Sequence, residues 1–362
     1  MTYHQLPKVL ILEPSGLMFG SERALLDLLP PLRGKWDVTV CCPPGLFAEA
    51  AAGAGVAVWE RFTPYLHQKG RLARLRAAFS FRRIVRELHP DLIHVNQAGA
   101  ARIAAFAAGS RIPLVIHSRL FDDHEYLRER GLEKRACAII YVSEAMKTEA
   151  SKSLCTPNLF RLYDSYAPTC DGQSTHTLGR PLLCIGRLGK VKGQDLILGA
   201  LAELKRRGVR ADVSFLGSAE RDSRYGDELK EMARRLGIES RVRWLGFREN
   251  VFFDLRDTAA LLAPSEKEPL GRVIFEAWDA GTVPVVWRGS GGAAEVVEAS
   301  GGGIMFQERT PASLADAMQD VLEMPVETRT SLVKGGRTWL AANCQSAIIA
   351  AQLSAIWDGC IK

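Results

Sequence analysis

The sequence predicts an α/β protein built from two doubly wound parallel sheets, and three observations carry that reading. The chain has 362 residues, more than one core accommodates, since single cores stop growing near ~250–300 residues. Short, nearly continuous apolar runs alternate with helical patterns, as expected of strands buried on both faces and the helices that cover them. The alternation runs once, is interrupted by the polar stretch SYAPTCDGQSTHTLGR (165–180), and then begins again. We therefore expect a first Rossmann-like domain over 1–170, a second over 171–345, and a closing helix over 346–362 that packs back towards the first.

In the first half the strands are read as KVLILEP (8–14), DVTVCCP (37–43), VAVWER (56–61), DLIHVN (91–96), PLVIHS (113–118) and AIIYVS (138–143). The second half offers PLLCIG (181–186), DVSFLG (212–217), VRWLG (242–246), AALLAPS (259–265) and VPVVWR (283–288). SERALLDLLPPLR, FRRIVREL and the final SAIIAAQLSAIW carry apolar residues at helical spacing. Sheets of this kind bind ligands beyond the carboxyl ends of their strands, where helix N-termini point amides at phosphate. A nucleotide-linked substrate is the natural first hypothesis.

Composition narrows the function further. Hydrophobic residues make up 47% and charged residues 24%, so a disordered or fibrous chain is excluded. No apolar run approaches the ~18–20 residues of a membrane span, and the N-terminus lacks the basic start of a signal peptide. A cytoplasmic protein is expected, touching a membrane at most peripherally. The eight cysteines form no C-x-x-C pair, which leaves buried free thiols rather than a metal or disulfide framework. Residues 1–170 hold 22 Lys and Arg against 16 Asp and Glu, while the remainder holds 25 of each. The whole excess of +6 lies in the first half and asks for an anionic partner there.

The densest stretch is PSEKEPLGRVIFEAWDAGTVPVVWRGSGGAAEVV, residues 264–297. After a strand comes a loop with Glu268, Pro269, Leu270 and Gly271, then a helix stopped by Gly281. Glu268 lies in the loop and Glu276 just over one turn into the helix. Both sit near one helix N-terminus, where amides and the macrodipole favour an anion. Carboxylates cannot bind that anion, but they suit hydrogen bonds from sugar hydroxyls on either side of it. Solvated glutamates on an open helix face are the competing reading. Arg187 and Lys192 follow the first strand of the second half, where cations could neutralise a departing diphosphate; two ordinary surface residues would look the same.

In the first half, EPSGLMFGSER leads into the first helix. Gly16 and Gly20 permit close backbone approach, and Ser21 or Glu22 begins the helix. His117 ends one strand, and His94 lies in another with Asn96 and Gln97 beyond it. Satisfied core histidines are the alternative. Arg119, Asp122, Asp123, His124 and Glu125 form a charged loop suited either to an acceptor or to solvent. GFREN (246–250) follows a strand, with Arg248 the side chain placed to meet a nucleotide base.

Three of these stretches resemble glycosyltransferase family 4, the group 1 glycosyltransferases, which are retaining enzymes of the two-Rossmann GT-B fold. EPLGRVIFEAWDAGTVPVV with the following GGAAE matches one family motif through Glu268, Glu276, Gly281, Pro284, Gly291, Gly292 and Glu295. CIGRLGKVKGQDLILGAL is similar to the family's G-R-L-x3-K-G run, and LILEPSGLMFGSERALLDLL resembles its glycine-rich loop. Phe19 stands where that loop has the first of two adjacent glycines, and LYDSYAP (162–168), with Asp164 and Tyr166, departs from the family's N-G-x-D segment.

The resemblance implies metal-independent, retaining transfer from a UDP- or GDP-sugar to a hydroxyl of a glycan or lipid-linked acceptor. Bacterial envelope polysaccharide biosynthesis, lipopolysaccharide included, is the expected setting. His117, Arg187, Lys192 and Glu268 are then the catalytic candidates. Gly16, Gly20, Arg187, Lys192, Arg248, Glu268, Leu270, Gly271 and Glu276 bind the donor, with Glu268 on sugar hydroxyls and Glu276 on the ribose. His94, Asn96 and Arg119 fall on the acceptor side. No cofactor, metal or nucleic acid is implied. A nucleotide-sugar epimerase of the same fold and a non-catalytic nucleotide-sugar-binding paralogue are the alternatives.

The segment 69–88 adds a feature of its own. At 100° per residue, Ala77, Phe81, Ile84, Val85 and Leu88 gather on one side of a helix. Leu72, Leu75 and Phe79 fall nearly opposite, bordered by Arg71, Arg76, Arg82, Arg83 and Arg86. One continuous helix would present an outward apolar strip edged by arginines, suited to an anionic membrane through residues 69–86. Two short helices, each burying its own face, would not.

Overall fold

The computed structural model describes residues 6–60, 71–156, 158–168, 180–219, 223–248 and 250–361. Contacts group residues 1–167 with 343–362 as one unit and residues 168–342 as another. Most of the expected join, 169–179, lies outside the described residues.

The first unit contains β1 (Lys8–Leu12), β2 (Asp37–Cys41), β3 (Ala57–Trp59), β4 (Leu92–Val95), β5 (Leu114–Ser118), β6 (Ala138–Tyr141) and β7 (Leu159–Arg161). They form one parallel sheet in the order β3-β2-β1-β4-β5-β6-β7. The apolar runs behave as strands buried on both faces require: Val9, Leu10, Ile11 and Leu12 are each at most 1% exposed. The second unit contains β8 (Leu182–Ile185), β9 (Val213–Leu216), β10 (Val242–Gly246), β11 (Leu261–Ala263), β12 (Pro284–Trp287) and β13 (Ile304–Phe306), ordered β10-β9-β8-β11-β12-β13. It is parallel throughout. In both sheets the strand order reverses beside the first strand, which is the doubly wound topology and places the binding crevice at that reversal.

Sequence reading missed β7 and β13. Each is a three-residue sheet-edge strand, LFR and IMF, too short to show a period. The C-terminal helix Ser346–Ile361 packs in the first unit against the helix Gly20–Leu32 and against β4 and β5. The segment 71–88 is one unbroken helix, Arg71–Leu88. It buries Ala77, Phe81, Ile84 and Val85 while Leu72, Leu75 and Phe79 stand 74%, 53% and 60% exposed. Residues 69 and 70 and the side chain of Arg71 lie outside the described residues.

Glycines at the ends of the first and second strands of each unit allow two loops to touch backbone to backbone. In the second unit, a Cβ on Gly217 would lie 2.0 Å from the Gly186 carbonyl oxygen, and Gly217 itself has φ +142°. In the first, a Cβ on Gly45, at φ +147°, would lie 2.4 Å from the Gly16 carbonyl oxygen. Only glycine satisfies both the angle and the approach. Gly217→Ala should therefore cost at least about 2 kcal/mol, a fall of roughly 4–8 °C in Tm. An unchanged melting curve would show that the contact is not as close as described.

Candidate functional site

In the second unit, β8 runs through Gly186 and Arg187 into a short turn, Lys190–Lys192, and then the helix Gln194–Arg206. Gln194 is fully buried and grips the loop twice. Its Nε2 donates to the Arg187 carbonyl at 3.1 Å, and its Oε1 accepts from the Gly189 N–H at 3.4 Å. The loop after β11 is tied to this one, for the Glu266 N–H donates to the Val191 carbonyl at 2.8 Å. Lys192 Nζ donates to Glu268 Oε2 at 2.7 Å, with both side chains partly exposed. A pair of this exposure contributes ~1 kcal/mol or less, so its consequence is positional: it holds the two motif loops together.

Glu268 is also fixed through its backbone. Its N–H donates to the Ser290 carbonyl at 2.7 Å and its carbonyl accepts from the Gly292 N–H at 2.9 Å. Gly292 has no room for a side chain, since a Cβ would meet the Pro269 oxygen at 2.0 Å. The Leu270 side chain is buried, and Gly271 at φ +79° turns the chain into the helix Arg272–Ala280 as an N-cap residue with no side chain to cap it. Trp278, fully buried, seats that helix by donating Nε1 to the Gly302 carbonyl at 2.7 Å. Arg337 donates to the Trp278 and Asp279 carbonyls at its other end, each at 2.7 Å. Glu276 is thereby held half-buried just over one turn from the helix start, while Arg187 is exposed. Arg248 pairs with Asp254 at 2.6 Å.

The first unit gathers a different set, almost wholly buried. Glu13, one residue beyond β1, is 0% exposed. It accepts from Asn96 Nδ2 at 2.5 Å, Gln97 Nε2 at 2.9 Å and the Ser15 N–H at 2.8 Å. Gln97 Nε2 also reaches Glu22 Oε1 at 3.3 Å, so one amide bridges two carboxyl groups. Glu22 Oε2 accepts from the Phe19 N–H at 3.1 Å and fixes the start of the helix Gly20–Leu32. Burial foremost, and then the Glu22 charge, push the Glu13 carboxyl up to about 8. Gly16 answers a need of the chain itself, because a Cβ there would meet the Pro44 carbonyl oxygen at 2.6 Å.

Arg119 follows β5 and forms an ion pair with Asp164. It also donates to the Asn96 side-chain oxygen at 2.7 Å and to the Asn96 carbonyl at 3.2 Å. Asp123 accepts from Ser118 Oγ and from the N–H groups of Arg119 and Leu120, closing the turn that carries Arg119. His94 and His117 lie ring to ring at 5.7 Å, both buried. Burial, and then the Arg119 charge, lower His94 to about 3; the same causes, with His94 added, hold His117 well below the usual range. Both imidazoles are neutral at physiological pH. His117 Nε2 is buried with no partner among the described residues.

His94, Asn96, His117 and Arg119 thus meet in the first unit, and Lys192, Glu268, Leu270, Gly271 and Glu276 gather around one helix start in the second. Glu13, Asp164 and Trp357 belong to the first cluster and were not among the sequence candidates. A charge closing an otherwise apolar strand, KVLILEP, was the available signal for Glu13. The raised carboxyl adds stability that is complete below pH ~4.5 and is lost as pH rises through about 8. Wild type should lose stability between about pH 5 and 9, and Glu13→Gln should lose less. Parallel Tm profiles for the two would contradict the buried, protonated acid.

No helix among the described residues is long and apolar enough to cross a membrane. The model of the group 1 glycosyl transferases matches residues 179–339, and that of the glycosyl transferase 4-like domain matches residues 19–154. A GDP-mannose-dependent alpha-(1-6)-phosphatidylinositol monomannoside mannosyltransferase of Mycobacterium tuberculosis is 30% identical over 185 residues, covering 48% of this chain and 46% of its own. The chain spans somewhat less than half the length of that relative and of two D-inositol 3-phosphate glycosyltransferases that it also matches. The lipopolysaccharide core biosynthesis glycosyltransferase LpsD of Rhizobium meliloti is 24% identical over 358 residues, 96% of this chain and 97% of its own. Among solved structures, Anabaena Alr3699/HepE in complex with UDP and glucose superposes with a TM-score of 0.82 at 24% identity, covering 97% of this chain and 99% of that one. That likeness carries the fold. The two family models and the two doubly wound sheets show that the chain belongs to the group 1 glycosyltransferases of the GT-B fold.

Proposed function

We infer that the protein transfers a sugar, with retention at the anomeric carbon and without a metal, from a nucleoside-diphosphate sugar to a hydroxyl of a glycan or lipid-linked precursor of a bacterial envelope polysaccharide. The Lys192–Glu268 pair beside the glycine-led start of Arg272–Ala280 is the observation that carries the reading. It sets a cation, a carboxylate and a helix N-terminus within one short region, which is what a sugar diphosphate presents in mirror image. In this reading the diphosphate lies against Arg187, Lys192 and the helix amides. Glu268 accepts from sugar hydroxyls, oriented by Lys192, while Glu276 takes the ribose and the Arg248 loop borders the base. Leu270 and Gly271 shape the turn that exposes the amides, and Gly16 and Gly20 meet the donor through backbone.

During transfer the bond from the anomeric carbon to the departing phosphate oxygen breaks. The bond to the acceptor oxygen forms on the same face, and the acceptor's proton passes to the departing phosphate. Negative charge grows on the diphosphate, where the two cations stabilise it. A neutral His117 contributes a hydrogen bond rather than a charge. His94, Asn96 and Arg119, held by their own buried partners, support the acceptor side from beneath. LpsD, matched along nearly its whole length, supports an envelope acceptor. The mannosyltransferase uses GDP-mannose and HepE holds UDP, so a thermal-shift screen of both nucleotides selects the base.

Arg187→Ala and Lys192→Ala should each lower turnover by roughly 10²–10³-fold with folding intact, and wild-type activity should persist in EDTA. Unchanged turnover in both variants would reject the phosphate assignment. Activity lost in EDTA and regained with Mg²⁺ would reject the metal-free mechanism.

The helix Arg71–Leu88 gives the acceptor a place to be met. Leu72, Leu75 and Phe79 form its exposed strip. Phe79 stacks edge-on with Phe106 at 5.4 Å, and Arg82 lies over Phe106 at 5.2 Å. Arg76, Arg83 and Arg86 are exposed beside it. Each basic side chain near an anionic surface contributes ~1 kcal/mol, screened by salt, and the apolar strip adds attachment that salt does not remove. Wild type should co-sediment with anionic vesicles, and an Arg82→Glu/Arg83→Glu variant should bind several-fold less. Equal binding by the two would favour a soluble acceptor.

A further inference from the structure

The helix Ser346–Ile361 lays Trp357 into the buried cluster that holds His117. Trp357, His94 and His117 are 0%, 1% and 2% exposed. The Trp357 indole N–H donates to His94 Nδ1 at 3.1 Å. An indole can only donate, so Nδ1 offers its lone pair and His94 is the neutral tautomer protonated on Nε2. The His94 ring meets the Trp357 ring at 5.6 Å and 76°, and the His117 ring at 5.7 Å and 72°.

Trp357 is held in turn. Trp36 packs edge-on against it at 5.3 Å and donates Nε1 to Ser354 Oγ at 2.9 Å, just under one turn earlier on the same helix. Lys35 pairs with Asp358 at 2.8 Å on the outer side. A leucine or phenylalanine at 357 would occupy the volume without fixing a proton. The contacts therefore run from the last helix, through one imidazole of defined tautomer, to a second imidazole whose Nε2 is buried with no partner among the described residues. Buried polar atoms are normally paired, and a bound molecule would pair this one.

We propose that Trp357 is a positioning residue for His117, acting through His94: the indole N–H fixes the tautomer and rotamer of His94, and the fixed ring sets the orientation in which His117 meets its substrate. The assignment rests on the catalytic role given to His117 above.

The test is Trp357→Phe in the full chain, labelled with ¹⁵N-histidine and checked for folding by circular dichroism. In wild type the His94 nitrogens should report the pure Nε2–H tautomer. In the folded variant His94 should become a tautomer mixture and the His117 resonances should move. With a UDP- or GDP-sugar as donor, kcat should fall about tenfold while the donor KM stays within about twofold, the pattern of misplacement rather than lost binding. Unmoved His117 resonances, or an unchanged kcat in a folded variant, would overturn the proposal. If the phenylalanine variant does not fold, His94→Gln leaves the indole an acceptor and removes the ring beside His117. It must give the same loss of kcat, and wild-type kcat would overturn the proposal. If wild type turns over no nucleotide-sugar, the glycosyltransferase reading fails, and the resonances alone decide the positioning role.

Discussion

The geometry of both units depends on one contact, the close passage of the loop after the first strand against the loop after the second. Gly16 meets Gly45 in the first unit, and Gly186 meets Gly217 in the second. Parallel neighbours end at the same edge of a sheet, so their loops must either diverge or pass within van der Waals range. Passage with no Cβ between them draws the two loops together beside the strand-order reversal, where such sheets bind ligands. Gly186 and Gly217 set the path of Arg187, while Gly16 and Gly45 set the path of the chain that enters the first helix at Gly20.

From that shared frame the two units treat charge in opposite ways. In the second, the charged groups remain partly open to solvent, and Lys192 and Glu268 are paired without being sealed in. In the first, burial dominates. Glu13 is pushed towards its neutral acid, His94 and His117 towards neutral imidazoles, and the Arg119 charge is taken up by Asp164. Desolvation disfavours the charged form of every group it covers, so a deeply buried cluster becomes a rigid network of neutral hydrogen-bonding groups around one compensated ion pair. Such a network holds positions well and stabilises changing charge poorly. The division is consistent with the proposal of an acceptor-side frame in one unit and a charge-receiving donor site in the other.

The helix Arg71–Leu88 was legible from spacing because its two faces differ in chemistry. Ala77, Phe81, Ile84 and Val85 repeat at helical intervals and are buried, and Leu72, Leu75 and Phe79 fall opposite them and are exposed. Sequence periodicity located both faces. Whether the run was one helix or two was a matter of backbone continuity, and eighteen unbroken helical residues answer it.

What the sequence determined by itself was whatever local chemistry repeats or stands close along the chain. Eleven of the thirteen strands among the described residues announced themselves as apolar runs, and the loop-then-helix pattern of Glu268 to Gly281 placed two carboxylates near one helix start. β7 and β13, two of the four edge strands and three residues each, were not read from the sequence. Only the tertiary structure decided the partners. Glu13 and Asn96 are 83 positions apart, Arg119 and Asp164 are 45, and His94 and Trp357 are 263. A parallel sheet brings the ends of distant strands to one edge and the C-terminal helix folds back onto it, so the environment that sets each proton and each rotamer is assembled from residues no local pattern connects.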